Sequence, residues 1–328
     1  MELLYDRKIK ESKGPRQAPD SGEFSMIDSW KVPTPVEEIT VDGRRYFLKR
    51  DDRIHPDFSG NKARKLHYWL HRDLPQIRRL VSYGSPQSNA LYSLSVLARV
   101  RGWEFEYFVD HIPAYLRENP QGNYRAALEN GTIFREKREM RNEKWAEEVL
   151  FIEEGGRQPE AEEGVRLLAG EIVDWQREKG IETLTVFLPS GTGTTALYLQ
   201  KSFQFLTLHS SLFTHVVTVP CVGGADYLRE QFAMLEPDRS FWPRIVDLPR
   251  KYHFGRLYRE FYEIWLKFND QCGVEFDLLY DPKGWLTLLE HRDKMAGEIL
   301  YLHQGGLKGN ESMLPRYRRK YPMQDAEF

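Results

Sequence analysis

Short apolar runs alternate with segments of helical periodicity along most of the chain. Glu37 to Leu48 alternates polar and apolar residues around Asp42-Gly43, which predicts a β-hairpin. The apolar, β-branched run Thr183–Leu188 predicts a central parallel strand that is buried on both faces. The pattern predicts further strands at 80–83, 105–109, 132–135, 150–152 and 215–219, and helices at 63–70, 87–101, 122–129, 139–149, 164–179, 196–206, 225–235 and 257–268. This order predicts an α/β protein with a parallel sheet and right-handed crossovers.

Composition narrows the class of protein. A chain of 328 residues with 41% hydrophobic content can bury a large core and is long enough for two domains. Its formal net charge of -2 gives no reason to expect binding to nucleic acid. No apolar run approaches the ~18 residues of a membrane span, and Cys221 and Cys272 cannot form a disulfide framework. We therefore expect a cytoplasmic protein without a membrane segment. The polar stretch from Met1 to about Ser29 is interpreted as an extended arm that lies over a neighbouring domain or subunit. The sequence indicates no function for it.

One lysine lies where a helix is predicted to begin. Gly60 permits a tight turn, Asn61 can cap the helix, and Lys62 would lie in the first turn. The positive end of the helix dipole, with some burial, would lower the pKa of the amine towards that of a nucleophile. Such a lysine can form a Schiff base with a carbonyl cofactor. The alternative is a solvated surface lysine.

A small-residue loop follows the strongest predicted strand, with the sequence Ser190-Gly191-Thr192-Gly193-Thr194-Thr195. Its backbone N–H groups and hydroxyls, at the positive end of a helix, are suited to a phosphate. The spacing Gly191, Gly193, Ala196 also matches a dinucleotide fingerprint, so a nicotinamide-dependent oxidoreductase is an alternative. That fingerprint expects an acidic residue about 20 positions later. The next strand ends Val219-Pro220-Cys221 instead, which weakens the alternative. A turn that binds no ligand is a third reading.

Two local clusters could suggest other sites. His55, His67 and His71 are close in sequence but lack the glutamate of a zinc-protease helix, so we predict no metal site. The basic run Pro315–Lys320 could bind an anion, although a solvated helix end explains it equally simply.

Several motifs occur in the order found in one enzyme family. Together they resemble the 1-aminocyclopropane-1-carboxylate deaminase and D-cysteine desulfhydrase family, which depends on pyridoxal phosphate. The matching segments are Arg50-Asp51-Asp52, Ser59-Gly60-Asn61-Lys62-Ala63-Arg64-Lys65-Leu66, Gln87-Ser88-Asn89, Gly122-Asn123, Ser190-Gly191-Thr192-Gly193-Thr194 and His303-Gln304-Gly305-Gly306.

The resemblance implies an architecture. It implies the tryptophan synthase β-like fold, fold type II, with two open, twisted, mostly parallel sheets flanked by helices. By the same resemblance, residues 1–64 and 150–328 form a large cofactor-binding domain, and residues 65–149 form a small inserted α/β domain. The cofactor would lie between them, and the protein would be a homodimer.

The resemblance also implies roles for individual residues. Lys62 would hold pyridoxal phosphate covalently and act as the base, and Asn89 would hydrogen-bond the phenolic oxygen of the cofactor. Ser88 would face the substrate, and Ser190 to Thr195 would bind the phosphate. The expected reaction is deamination or β-elimination of a small amino acid to a 2-oxo acid and ammonia. Alternatives are an amino-acid racemase or desulfhydrase that uses the same Lys62, the nicotinamide oxidoreductase, and a non-catalytic relative.

The chain departs from the family at two places. The family has Y-G and D-P-V-Y segments that each place a tyrosine near the substrate, whereas this chain has Phe254-Gly255 and Asp281-Pro282-Lys283-Gly284. Tyr252, Tyr258 and Tyr280 are the candidates to supply a phenol instead. The residue that faces the pyridine nitrogen is not identified by the sequence.

Overall fold

Strands and helices alternate through two sheets. This computed structural model describes residues 30–58, 60–142 and 144–322; the predicted N-terminal arm and Ser59 lie outside the described residues. The ten strands of the described part are β1 Val36–Val41, β2 Arg44–Arg50, β3 Arg79–Tyr83, β4 Glu104–Val109, β5 Ile133–Glu136, β6 Val149–Phe151, β7 Thr183–Ser190, β8 Phe213–Pro220, β9 Arg244–Ile245 and β10 Glu298–His303.

The α-helices of the described ranges are α1 Gly60–His71, α2 Asn89–Arg101, α3 Ala114–Glu118, α4 Gly122–Glu129, α5 Ala161–Glu178, α6 Thr194–Leu206, α7 Gly224–Leu235, α8 Arg259–Cys272, α9 Asp281–His291 and α10 Asn310–Lys320. Short 3₁₀ turns cover Asp51–Arg53, Lys137–Asn142, Glu154–Gly156, Arg239–Phe241, Arg292–Lys294 and Leu307–Gly309.

The larger sheet has six strands in the order β1-β2-β10-β7-β8-β9. Only the β1–β2 hairpin in it is antiparallel, with Val36 opposite Lys49 and Val41 opposite Arg44. Every other pair in this sheet is parallel. β7 is central and buried along its length from Leu184, as its apolar sequence predicts. The carboxyl end of β7 therefore delivers its loop to the middle of the sheet edge.

The smaller sheet has four parallel strands in the order β5-β4-β3-β6. These strands come from residues 79–151, close to the segment 65–149 that the resemblance assigns to a small domain. The predicted class, α/β with mostly parallel sheets, is confirmed. The division of the chain into two domains stays a prediction.

One predicted helix is wrong. Residues 139–149 form the end of the 3₁₀ turn Lys137–Asn142, a short connection and the start of β6. The stretch is charged and lacks a continuous apolar stripe, so a helix there would have little to bury. Its aromatic residue, Trp145, instead packs against Phe108 and Phe151 of the small sheet. The predicted hairpin and the aromatic helix near 257–268 are both present.

Both faces of the large sheet are covered by helices. On one face, Phe268 of α8 and Trp285 of α9 pack on Tyr301 of β10, with the Trp285 and Tyr301 rings stacked 4.0 Å apart. On the other face, α5 and α6 cover residues such as Val186 and Leu300. Among the described residues, no helix has the length and apolarity needed to cross a lipid bilayer.

A buried group of charges anchors α1 to the large sheet. Arg64 donates to both carboxylate oxygens of Asp51 at 3.0 and 2.9 Å, and to both oxygens of Glu171 on α5 at 2.6 and 2.9 Å. Lys49 donates to Glu171 at 2.7 Å and to the Thr34 carbonyl at 2.6 Å. Asp51, Lys49 and Arg64 are all buried. Because buried charges are stable only when paired, this cluster fixes the position of α1.

We expect Arg64→Leu to lower the free energy of unfolding by about 3–5 kcal/mol, because it leaves Asp51 as a buried, poorly compensated carboxylate. The matched control is Arg177→Leu, which breaks the exposed Arg177–Asp174 pair of α5. That change should cost less than about 1 kcal/mol. Urea denaturation followed by circular dichroism measures both, and equal costs would show that the buried cluster does not anchor the fold.

Candidate active site

A cavity of about 480 Å³ lies between segments that connect the strands of the two sheets to the helices. Its wall includes Lys62 at the start of α1, Ser88 and Asn89 at the start of α2, and the loop between β7 and α6. It also includes the segment around Asp277 and the Gln304 turn after β10. The structure thus brings together every site residue that the sequence predicts. Their assignment as functional residues stays a prediction.

The lysine-bearing helix starts against the turn that follows β10. α1 begins at Gly60, whose φ is 66°, and a Cβ there would lie 1.7 Å from the Gln304 carbonyl oxygen. Only glycine permits this approach. Asn61 was predicted as the helix cap, and this is wrong, because the helix already includes it. Its amide instead donates to Gln304 Oε1 at 2.9 Å.

Gln304 also contacts the β7–α6 loop, which the sequence predicts to bind a phosphate. Its Nε2 donates to the Pro189 carbonyl at 2.7 Å, near the end of β7. His303 supports the turn, since its Nδ1 accepts from Gly305 N at 3.2 Å and its Nε2 lies 2.8 Å from the Glu275 carbonyl. The His303-Gln304-Gly305 segment therefore ties the lysine helix to the β7–α6 loop.

Lys62 is in the first turn of α1 and faces the cavity. Burial lowers the pKa of its amine from 10.5 to about 8, although Lys65 and the carboxylate of Asp277 partly oppose this change. A larger fraction of the amine is therefore neutral near pH 8 than in an ordinary lysine. A neutral amine is the form that attacks a carbonyl.

The β7–α6 loop has the shape of an anion cradle. Gly193 precedes α6 with φ 72°, and a Cβ there would lie 2.4 Å from both Leu228 Cδ1 and Phe232 Cε1. No side chain caps α6, so its first N–H groups stay available for a ligand. Thr195 Oγ1 is buried without a hydrogen-bond partner among the described residues. The loop therefore offers unused donors at the positive end of a helix.

The other hydroxyls of the loop already have partners. Ser190 Oγ lies 2.7 Å from Thr218 Oγ1, and that hydroxyl donates to the Leu188 carbonyl. Thr192 and Thr194 hydroxyls are 3.1 Å apart. We therefore expect Ser190 to serve mainly as a structural end to β7, with the later residues of the loop contacting an anion.

The start of α2 presents an oriented amide. Asn123 Nδ2 donates to the Gln87 carbonyl at 3.0 Å and to Asn89 Oδ1 at 2.7 Å. This bond leaves Asn89 Nδ2 as the group that faces Gly306 and the cavity. Ser88 caps α2, and its Oγ accepts from Ala90 N at 3.1 Å. Asn123, which the sequence places only in a matching Gly-Asn segment, thus fixes the direction in which Asn89 donates.

Asp277 is a cavity residue that the sequence did not indicate. Its Oδ1 accepts from Leu279 N and Tyr280 N at 2.8 and 2.6 Å. Its Oδ2 lies beside the Asn89 amide, which lowers the pKa of the carboxyl, but it accepts no hydrogen bond of good geometry from the described residues. Asp281 is different, because Tyr301 Oη and Asp277 N occupy its two oxygens. Burial raises the pKa of Asp277 above its usual range. Asp277 therefore holds an unused acceptor ready for a cationic or N–H group.

Lys65 is a second lysine of the site that sequence reasoning missed. It is buried, donates to the Gly155 carbonyl, and forms no ion pair within the described residues. Burial and the nearby Lys62 lower the pKa of its amine. Gly155 in turn abuts Thr192, since a Cβ on Gly155 would lie 3.2 Å from Thr192 Cγ2. An anion in the loop would compensate the buried amine. The three-residue spacing from Lys62 on one helix face is the signal that could have identified it.

Of the three tyrosines that are candidates to supply a phenol, one lies at the cavity. Tyr280 lines the cavity, whereas Tyr252 and Tyr258 are not among its lining residues. A Cβ on Gly191 would lie 3.4 Å from Tyr280 Oη, so this phenol reaches the β7–α6 loop. Burial raises the pKa of Tyr280, which keeps the hydroxyl protonated. Phe254 packs beside it, with ring centroids 5.0 Å apart.

Gly284 stands where the resembling family has a tyrosine, and the structure leaves no space for one. A Cβ at Gly284 would lie 2.5 Å from Tyr301 Oη and 3.3 Å from Pro189 Cγ. The neighbouring Lys283 points away from the cavity, because its amine donates to the Pro220 carbonyl at 2.6 Å and pairs with Asp247 at 2.7 Å. Glycine at position 284 therefore goes with close packing of Tyr301 and Pro189 against the start of α9.

The histidines have structural contacts. His67 Nδ1 lies 3.1 Å from Glu163, and its ring stacks on His71 with centroids 4.0 Å apart. In residues 30–58, 60–142 and 144–322 no three metal-ligating side chains come together.

Known proteins resemble the chain in sequence and in fold. No family model matches the sequence. A Thermotoga maritima protein provisionally named 1-aminocyclopropane-1-carboxylate deaminase is 25% identical over 318 residues, which cover 86% of this chain and 96% of that protein. The crystal structure of an ACC deaminase homologue has a TM-score of 0.70 at 20% identity, covering 92% of this chain and 99% of that one.

The predicted family resemblance is confirmed. The fold is also shared with the L-serine ammonia-lyase of the fungus Rhizomucor miehei, with a TM-score of 0.60 at 14% identity, 88% of this chain and 98% of that one. The tryptophan synthase β-like fold, which the resemblance implies, is confirmed by these structures. Pyridoxal phosphate, the cofactor that the resemblance implies, agrees with this fold.

The side chains of the cavity fit this cofactor. The Lys62 amine would suit the carbonyl group, and the loop at Gly193, with the unpaired Thr195 hydroxyl, would suit the phosphate. Asn89 Nδ2 would suit the phenolic oxygen, and Asp277 Oδ2 would suit the ring nitrogen. Two of the buried polar atoms without hydrogen-bond partners among the described residues, Thr195 Oγ1 and Asp277 Oδ2, thus lie where this cofactor would use them.

We expect Gly193→Ala to weaken pyridoxal-phosphate binding by about tenfold or more, because a positive φ costs an L-residue ~1–2 kcal/mol and the new Cβ meets Leu228 and Phe232. Gly170→Ala is the control, since a Cβ there has no neighbour within 4 Å. Titration of the cofactor followed by visible absorbance gives both affinities. Unchanged affinity in Gly193→Ala would place the phosphate elsewhere.

Proposed function

We propose that this protein is a pyridoxal-phosphate-dependent enzyme that converts a small amino acid to a 2-oxo acid and ammonia by deamination or β-elimination. The observation that carries the proposal is the Lys62 amine, whose pKa of about 8 is lowered by burial, in the same cavity as the Gly193 cradle. The similarity to a named deaminase and the fold shared with an ammonia-lyase support the reaction class.

Five parts of the cavity would hold the cofactor. Lys62 would bind it covalently, and Asn89, held by Asn123, would donate to its phenolic oxygen. The phosphate would lie on Gly191 to Thr195, with the Lys65 ammonium as its counter-charge. Asp277 would face the ring nitrogen. When bound, the cofactor supplies an electron sink that makes the bonds at the substrate α carbon labile.

Lys62 would also move the proton. With a pKa of about 8, roughly half of the free Lys62 amine is neutral near pH 8, and this form can take the α proton and return it elsewhere on the substrate. Asp277 contributes by its charge, since a carboxylate nearby raises the pKa of Lys62 and so helps the amine to hold the proton that it has taken from the substrate. The balance of burial against Asp277 sets the pH at which Lys62 works as a base.

The substrate carboxylate would bind at the start of α2. The first N–H groups of this helix point out of its N-terminus beside Ser88, and the helix dipole favours an anion there. The Ser88 oxygen already accepts from Ala90 N, so its hydroxyl hydrogen stays free to donate to the carboxylate. Tyr280 supplies a protonated phenol to the same cavity.

The nicotinamide alternative has less support. The first acidic residue after β8 in the sequence is Asp226, which is exposed and pairs with Arg229 at 2.7 Å. It therefore does not approach the loop in the way that ribose binding requires. A racemase or desulfhydrase would use the same Lys62 and is separated by its products. The homodimer stays a prediction from the resemblance.

We expect added pyridoxal phosphate to give a visible absorbance band, and borohydride reduction with peptide mapping to find the cofactor on Lys62. Lys62→Ala should lose the band, whereas Lys267→Ala, at an exposed lysine paired with Asp42, should keep it. The loaded protein is then screened with small amino acids for ammonia, 2-oxo acid, sulfide and inversion of configuration. Attachment to another lysine would contradict the proposal, and racemisation alone would select the racemase.

The rate of cofactor attachment should depend on pH with the pKa of Lys62. Because its pKa is lowered to about 8, the neutral fraction should fall about tenfold per pH unit below that value and level off above it. Stopped-flow absorbance between pH 6 and 10 measures the profile. A rate that continues to rise towards pH 10 would indicate an ordinary lysine.

A further inference from the structure

Arg316 is a cation in the cavity wall that the proposed chemistry does not use. It is half-buried on α10 and is the only arginine among the described residues that line the cavity. Its Nη1 lies 3.0 Å from Met313 Sδ, and its Nη2 lies 3.4 Å from the Gly255 carbonyl. Sulfur is a weak acceptor, and 3.4 Å is long for a hydrogen bond. Most of the guanidinium's donors are therefore unused.

Three other arginines that are shielded from solvent have acidic partners. Arg50, Arg64 and Arg157 each pair with a carboxylate. Arg316 forms no ion pair in the part of the chain that the structure describes. A partly buried guanidinium without a partner loses hydration and gains nothing in return, so an anion that enters the cavity would bind it favourably.

The helix geometry places Arg316 away from the predicted reacting centre. Gly309, at the start of α10, lies beside Asn89, since a Cβ there would be 3.5 Å from Asn89 Oδ1. Arg316 is seven residues further along, a rise of about 10 Å at 1.5 Å per residue. Ser312 and Met313, between them, also line the cavity. The same helix therefore runs from the predicted cofactor site to Arg316.

The other charged groups in the cavity wall already have partners or assigned roles. Lys62 and Lys65 are assigned to the cofactor, and the start of α2 to the substrate carboxylate. Asp281 has both oxygens occupied. Glu154 also lines the cavity, but it lies beside Gly84, where a Cβ would be 3.2 Å from Glu154 Oε1. Glu154 does not pair with Arg316. Arg316 is the charged group available to the far end of a substrate.

We propose that the substrate is an α-amino acid whose side chain ends in an anionic group, and that this group pairs with Arg316. This inference rests on the proposed function. The α-carboxylate would lie at the start of α2, the amino group at the cofactor, and the side-chain anion at the guanidinium. Arg316 is then the residue that selects the substrate.

The test compares ligands that differ in charge and match in shape. Protein loaded with pyridoxal phosphate is titrated with aspartate against asparagine, glutamate against glutamine, and O-phosphoserine against serine, in both enantiomers, while the visible spectrum reports binding. We expect at least one anionic member to bind about tenfold more tightly than its neutral partner. Arg316→Met should bring that ratio close to one, whereas Arg316→Lys should retain part of it.

The matched control is Arg319→Met, an exposed arginine of the same helix that does not line the cavity, and it should keep the parent ratio. Equal binding of charged and neutral members by the parent, no binding of any anionic member, or an unchanged ratio in Arg316→Met would each overturn the role of Arg316. With the cofactor mapped to Lys62, such a result leaves the proposed function intact. Failure of the cofactor to attach to Lys62 overturns the proposed function and this inference together.

Discussion

The buried charge cluster around Arg64 is the constraint on which the site depends. Arg64 lies on the same helix as Lys62, and its two carboxylate partners, Asp51 and Glu171, belong to the end of the hairpin and to α5. The helix cannot rotate or slide without leaving buried charges unpaired, which costs several kcal/mol. The direction in which Lys62 faces is thus set by an ion cluster on the other side of its helix. Arg50 and Asp52 form a separate ion pair at the end of β2.

A second constraint comes from the turn after β10. Gln304 makes hydrogen bonds to Asn61 and to the Pro189 carbonyl, so one side chain sets the distance between the lysine helix and the β7–α6 loop. Gly60 lets the two backbones touch, because any Cβ there would overlap the Gln304 carbonyl. Segments that are more than 100 residues apart in sequence are therefore held in one wall of the cavity.

Burial has opposite effects on the two central groups of the cavity. It lowers the pKa of the Lys62 amine and raises the pKa of the Asp277 carboxyl, because a charge in a poorly hydrated site is unfavourable in either case. The mutual attraction of the charged forms opposes both shifts. The result is a base and an acid whose titration ranges approach each other near neutrality, an arrangement typical of sites that move protons. By the same reasoning, burial favours the neutral form of the Lys65 amine, and only an anion beside it would stabilise the charged form.

Local structure and the residues of contiguous motifs could be predicted from the amino-acid order. Apolar periodicity identified β7 and the hairpin, and the loop from Ser190 to Thr195 and the lysine at position 62 were recognisable because neighbours in sequence specify a turn and a helix start. Tertiary structure alone decided which distant groups complete the cavity. Asp277 carries no local signal, because burial and the absence of a partner are properties of packing. The basic run Pro315–Lys320 suggests an anion site, but only the packing of α10 shows that Arg316 is the member of that run that lines the cavity. The charged stretch 139–149 was misassigned for the same reason: helical propensity is weak, and the available contacts decided its conformation.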